Sequence, residues 1–157
     1  MTPMEIYDSL HDRLKTQQET IRALVEDLSA KKIQERIIPD KWSIHENIAH
    51  LAKYQVVFGD RMRLILDTKE PAFSRYRAED DPDFGEWCQW PTEQLLSRIE
   101  KDRQFLFTFI TQLGSSQLAR TGTHQKFGRL SLVQWVEFFL LHEAHHCYTI
   151  FQLANPQ

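Results

Sequence analysis

The sequence predicts an all-α protein built as one four-helix bundle. Three observations carry that reading. Only five glycines and six prolines occur among 157 residues, and they gather between long segments. Within each long segment apolar residues recur at threes and fours, which places them on one side of a helix. No segment reads as a strand. Four amphipathic helices around one core make a bundle, and a chain of 157 residues suits a single domain over residues 1–157.

The first helix is expected over residues 3–30. Thr2, Pro3 and Glu5 supply a capping hydroxyl, a proline at the first helical position and a glutamate to close a capping box. Its apolar track is Ile6, Leu10, Leu14, Gln17, Ile21, Leu24 and Leu28. The second is expected over 43–68, with Ser43 and Glu46 as a capping box. One face carries Ile44, Ile48, Leu51, Gln55, Phe58, Met62 and Ile65. Beside it run Asn47, His50, Tyr54, Val57, Arg61 and Leu64. Residues 69–91 hold prolines, an acidic run and aromatics without helical period. They predict a long connection, either a plain crossover that lets the third helix run parallel to the second or a lid over a site. The third helix is expected over 92–113, opened by Thr92 and closed by Gly114, with Arg103 on its apolar track. A polar loop follows. The fourth is expected over 131–154, with Ser131 and Gln134 as the next capping box.

Charge and composition exclude several classes. The formal net charge is −3 and basic residues are scattered, so a nucleic-acid partner is not expected. No window approaches the ~18 apolar residues of a membrane span. The N-terminus lacks the basic start and apolar run of a signal peptide, so a cytoplasmic location is expected. Cys88 and Cys147 fit thiols packed in a reducing compartment rather than a disulfide framework.

The functional signal is LLHEAHHCYTI, residues 140–150. On the fourth helix the inward track reads Leu132, Trp135, Phe139, His142, His146 and then Ile150. His142 and His146 therefore occupy core positions one turn apart, about 40° around the helix. Two unpaired buried imidazoles cost several kcal/mol, by the usual magnitudes, and a shared metal ion offsets that. A third ligand must lie upstream, because no His, Asp or Glu follows His146. His50 is the best candidate. If the second and fourth helices are antiparallel, His50 and His146 both sit ~11–12 Å from one end of the bundle at 1.5 Å per residue. His45 faces away from His50, His145 is a fallback ligand, His124 lies in a loop as a substrate contact or nothing, and His11 is on the surface.

Two look-alikes fail. His142–His146 matches the H-E-x-x-H motif of metallopeptidases, but a downstream third ligand and a strand edge to hold a peptide are missing. Glu143-x-x-His146 fits half of a carboxylate-bridged di-metal motif, and the other carboxylates that site needs are missing.

Two segments carry a family resemblance. KWSIHENIAHLAKYQ, 41–55, resembles the start of the second helix in the DinB/YfiT-like metalloprotein superfamily, through Trp42, Ser43, Glu46, His50 and Leu51. GRLSLVQWVEFFLLHEAHHCYTIFQL, 128–153, is similar to that family's last helix, although Cys147, Tyr148, Thr149 and Ile150 replace the usual ending. The resemblance implies an up-down-down-up bundle with a long crossover between helices two and three. It also implies a divalent metal on His50, His142 and His146, and a homodimer. Members using low-molecular-weight thiols as S-transferases or isomerases are among those it points to.

The functional expectation is a metal-dependent thiol S-transferase, or a related hydrolase or isomerase, acting on a small electrophile. Zinc or nickel suits three imidazoles, and the thiol would be a co-substrate. Three neutral ligands leave the ion its full charge and an open position, which lowers a bound water to a pKa of roughly 7 and deprotonates a thiol. Tyr54 and Arg61 share the His50 face and are candidates to orient a carboxylate-bearing substrate. Glu143 is a candidate base or partner of a ligand. The alternative is a non-catalytic, metal-stabilised bundle that binds a small ligand as a dimer.

Overall fold

The computed structural model describes residues 3–156. In chain order the elements are α1 (Asp8–Thr16), α2 (Glu19–Val25), α3 (Ala30–Gln34), α4 (Ile44–Asp67), β1 (Ala72–Phe73), α5 (Phe84–Cys88), α6 (Thr92–Thr111), α7 (Ser115–Leu118), β2 (Thr121–His124), β3 (Gly128–Ser131) and α8 (Leu132–Ala154). The first rod, α1 with α2, packs with α4, α6 and α8 as a four-helix bundle.

Side-chain pairs fix the direction of each rod. Arg13 grips Glu137 at 2.6 Å and Gln17 reaches the Leu140 carbonyl at 2.8 Å, so the first rod runs parallel to α8. Asn47 meets His146 at 2.9 Å while Tyr54, about two turns on, stacks over Phe139, so α4 opposes α8. His45 meets Thr92 at 2.7 Å and Gln55 meets Arg103 at 2.9 Å, so α4 and α6 are parallel. The order is up-down-down-up, and the parallel pair needs the long 69–91 crossover.

Helices α4 and α8 begin where the capping signals place them. In each case serine Oγ accepts the backbone N–H three residues on, and the Glu46 or Gln134 side chain accepts the serine N–H, at 3.0 and 2.8 Å. The first rod departs from expectation. Thr2 lies outside the described residues, Pro3 and Glu5 are not helical, and α1 starts at Asp8 behind an extended Tyr7 with no side-chain cap. The Tyr7 hydroxyl is tied to Glu137 instead, so a tertiary contact overrides a local start signal. The rod then breaks at Gln17 and Gln18, where i→i−3 bonds to their carbonyls at 3.1 Å tighten the turn. Helix α6 opens at Thr92 as expected, with Pro91 in the N-cap position and no side-chain cap, and the Thr92 hydroxyl serves His45.

The expected absence of strands is also corrected. β1 pairs parallel with β2, and β2 pairs antiparallel with β3. These strands run for 2–4 residues, too short to show alternation in sequence. The hairpin turns at Gly128, whose φ of +77° is a left-handed conformation. It lies tight on α4: a Cβ at Gly122 would meet both Ile65 and Phe73 at 2.9 Å.

A polar layer divides the apolar core in two. On one side sit Leu10, Phe58, Leu106, Trp135 and Phe139; on the other Ile21, Ile48, Leu95 and Ile150. Between them Arg103 is fully buried. It donates to Gln55 and Gln18, each at 2.9 Å, and to the Glu143 carboxylate, which also accepts from Gln17 at 3.0 Å. All four rods contribute. Removing one partner of such a pair strands the other charge in the core. Arg103→Met is therefore expected to lower unfolding free energy by about 3–5 kcal/mol in urea titrations at pH 7. Arg103→Met with Glu143→Leu should recover at least half of that loss; a double variant no more stable than the single one would refute this account of the layer.

Candidate metal centre

Three imidazoles converge between α4 and α8. His50 Nε2 and His142 Nε2 are 3.1 Å apart, and one ring nitrogen from each of His50, His142 and His146 lies within 4.8 Å of the others. Two nitrogens bound tetrahedrally to one zinc at ~2.0–2.1 Å stand about 3.3 Å apart, so the observed spacing matches a shared ion. Helix geometry explains the convergence. His142 and His146 stack one turn apart, and the antiparallel α4 presents His50 at their height.

The surroundings hold the rings and keep them neutral. Asn47 Nδ2 donates to the Ser43 carbonyl at 2.9 Å, which turns its Oδ1 toward His146 Nδ1, also at 2.9 Å. That bond places the His146 proton on Nδ1 and frees the Nε2 lone pair. Tyr76 stacks on His50 at 5.9 Å, Trp42 lies 5.1 Å from it, and the Tyr54 ring centroid is 4.1 Å from that of His142. Burial drives the pKa values down from 6.5, to about 4 for His50, about 3 for His146 and about 2 for His142, and mutual repulsion adds to it at His142 and His146. The Nδ1 atoms of His50 and His142 are buried without a partner. By themselves the three neutral rings can share only the one His50–His142 hydrogen bond, so the group is poorly satisfied as a polar core and well suited to a cation.

The centre opens into a cleft of about 990 Å³ that Tyr54, Arg61, Tyr76, His124 and His145 also line. The 69–91 crossover is a fixed wall of it. Tyr76 donates to Asp81 at 2.7 Å, Arg61 holds the Ser74 carbonyl at 2.8 Å, and His45 reaches the Cys88 carbonyl at 2.8 Å.

Other expectations meet mixed outcomes. Tyr54 and Arg61 are both buried and both face the cleft. Glu143 does not. It is 1% exposed and its carboxylate is turned into the core toward Arg103 and Gln17, so a role as base at this centre is corrected to a role in the polar layer. His45 faces away as expected, with both nitrogens satisfied by Thr92 and Cys88. His145 is exposed beside His146, outside the converging trio. His11 is at the surface as expected, partly covered by Phe107. His124 is buried in β2 rather than in a loop. Sequence reasoning missed Asn47 and Tyr76 as site residues. Asn47 stands one turn before His50 on the same face, which is a readable signal; Tyr76 lies in the aperiodic crossover and offers none.

A four-helix bundle with three histidines meeting between its second and fourth rods is a definite class of protein. The chain belongs to the DinB superfamily, whose model matches residues 13–150. It is 23% identical over 145 residues to a "putative metal-dependent hydrolase" of Oceanobacillus iheyensis, covering 88% of this chain and 82% of that one. YfiT from Bacillus subtilis, a "probable metal-dependent hydrolase with an unusual four-helix bundle topology", shares the fold with a TM-score of 0.80 and 16% identity over 98% of this chain and 91% of that one. Among the described residues no helix is long and apolar enough to cross a membrane.

The lowered pKa values set a pH dependence. At pH 7 these rings are neutral in the folded chain and mostly neutral in the unfolded one. Below 6.5 the unfolded chain binds protons that the folded rings, down to about 4 at His50, refuse, so metal-free protein loses stability as pH falls. The slope approaches about 1.4 kcal/mol per pH unit for a well-buried ring and less for the half-exposed ones. Unfolding titrations of chelator-treated wild type and His50→Gln between pH 7 and 4.5 should diverge in slope, the wild type falling faster; parallel curves would contradict the burial argument.

Proposed function

We propose that His50, His142 and His146 hold a divalent transition metal with a coordination position open to the cleft, and that the protein is a metal-dependent enzyme acting on a small electrophile. The observation that carries this reading is the convergence of three neutral imidazoles, one buried and two partly buried, on one point in the wall of a cleft. A structural site closes with four protein ligands, whereas a catalytic one keeps three and leaves the fourth place to water or substrate. Zinc and nickel both suit the donor set.

When bound, the ion supplies Lewis-acid chemistry, lowering the pKa of a water or thiol at the open position. The chain's own residues do the rest. Asn47 fixes the His146 tautomer, Trp42 and Tyr76 exclude water from the outer faces of the rings, and the Tyr54 hydroxyl borders the reacting end of the cleft. With Glu143 committed to Arg103, the motif offers no carboxylate base. That favours a nucleophile that loses its proton readily, and so thiol S-transfer with a low-molecular-weight thiol as co-substrate. The hydrolase names carried by the relatives favour a second reading, with water as the nucleophile at the same centre.

Metal analysis of purified protein should return one ion per chain, and His142→Ala should abolish it. Asn47→Ala should weaken affinity by about 10–100-fold, the usual cost of losing a partner that orients a ligand. Turnover of glutathione with an aryl halide, and of an aryl ester without thiol, separates transfer from hydrolysis, each measured with and without chelator. Stoichiometric metal retained by His142→Ala would reject the ligand set.

A further inference from the structure

Away from the imidazoles the same cleft ends in a cationic corner that no carboxylate neutralises. Arg61 lies about 16 Å along α4 from His50, eleven residues at 1.5 Å each, and its side chain leans back toward the helix N-terminus. The residue is 7% exposed. Its only hydrogen bond among the described residues runs from Nη2 to the Ser74 carbonyl at 2.8 Å, and its guanidinium rests against the Phe73 and Trp135 rings at 5.4 and 5.6 Å. Arg103, the other buried arginine, has Glu143 as counter-ion; Arg61 has no acidic group within 4.0 Å among the described residues. A buried guanidinium faced only by rings and one carbonyl is under-neutralised.

His124 adds a donor on the same cleft wall. It is 4% exposed and packs on the same Trp135 ring, 5.6 Å away. Its Nδ1 accepts the backbone N–H groups of Lys126 and Phe127 at 2.9 and 3.2 Å. The neutral ring therefore carries its proton on Nε2, and that N–H has no protein acceptor among the described residues. Burial, with Arg61, Arg75 and Lys126 nearby, keeps the ring neutral by lowering its pKa. Arg75 and Lys126 are exposed on the cleft rim and neither has an acidic partner there. Beside the imidazoles the lining is of mixed sign, Asp40 and Glu79 with Lys41 and Arg77, and the Glu79 charge is felt at His50. The unbalanced positive charge therefore lies at the Arg61 corner.

We infer that this corner binds the carboxylate of a small organic acid, with Arg61 and the His124 Nε2–H as direct donors and Arg75 and Lys126 as flanking charges. Glu79 repels the acid end from the histidines, so the ligand is oriented with its other end at the proposed metal centre. Tyr54, Tyr76, Phe127 and Phe138 border the space between and suit one aromatic ring or a comparable apolar body. This rests on reading the cleft as a substrate site, and the corner itself needs no metal.

The test is intrinsic tryptophan fluorescence of the full chain, titrated with benzoate and with neutral benzamide, in metal-loaded and chelator-treated protein. Benzoate should bind at least about tenfold more tightly in both forms. Arg61→Gln should reduce that preference to within about twofold while metal stoichiometry is unchanged, and His142→Ala should leave it intact. Full metal retained by His142→Ala, or none found in the wild type, with the preference kept would overturn the metal centre alone. If Arg61→Gln does not fold by circular dichroism, Arg75→Ala with Lys126→Ala, both exposed, decides; the expected loss of preference is about fivefold. Equal binding of the two probes overturns the inference, as does a preference seen only with metal bound. So does an unchanged preference in the deciding variant, or no saturation below roughly 10 mM.

Discussion

The site depends on the register between α4 and α8, and the buried charge of Arg103 holds that register. An apolar stripe alone lets two helices slide by a turn and repack at modest cost, because leucine and isoleucine are interchangeable partners. A buried guanidinium tolerates no such slip. Arg103 donates at once to Gln18 on the first rod, Gln55 on α4 and Glu143 on α8. Only one relative placement satisfies all of them. Glu143 is the next residue after His142, and Gln55 is five residues past His50, so fixing the layer fixes the height at which the imidazoles meet.

Much of this was readable in the sequence, and its limits are physical. Helices α4 and α8 carry complete capping boxes and long periodic faces, and their bounds fall within a residue of expectation. The histidine trio was readable because helical spacing is rigid over four residues and a cation needs convergent lone pairs. The polar interruptions Gln17, Gln55 and Arg103 were visible too, one on each of three apolar tracks, yet their meeting in a single layer was not, since periodicity gives a face and not a height. Where long-range contacts decide, local signals failed. Tyr7 answers to Glu137, across the bundle, rather than to the Pro3 start signal. The hairpin of β2 and β3 was missed because four residues are too few for a period, although Gly128 marks its turn.

The crossover is the part of the site that sequence pattern described least. Between a lid and a plain connection, the structure gives a connection that is also a wall: β1 joins the small sheet, Arg61 and His45 hold the Ser74 and Cys88 carbonyls, and Tyr76 lies over His50. An up-down-down-up order obliges the chain to travel the length of the bundle between two parallel helices, and residues 75–79 on that route line the cleft beside the histidine centre. Topology therefore places aromatic side chains over the imidazoles without any separate device to close the site.

Glu143 shows how the same letters acquire different chemistry in a different setting. In an H-E-x-x-H helix the residue after the first histidine points about 100° around the axis from it. Whether that direction meets solvent and substrate or another helix depends on what packs there. Here it meets α6 and the first rod, and the carboxylate neutralises a core arginine. A base in that position would have to leave Arg103 uncompensated whenever it took a proton, which couples each turnover to a loss of core stability. The bundle keeps the two tasks apart: the histidine face of α8 looks into the cleft, and the face one residue on anchors the fold that aligns it.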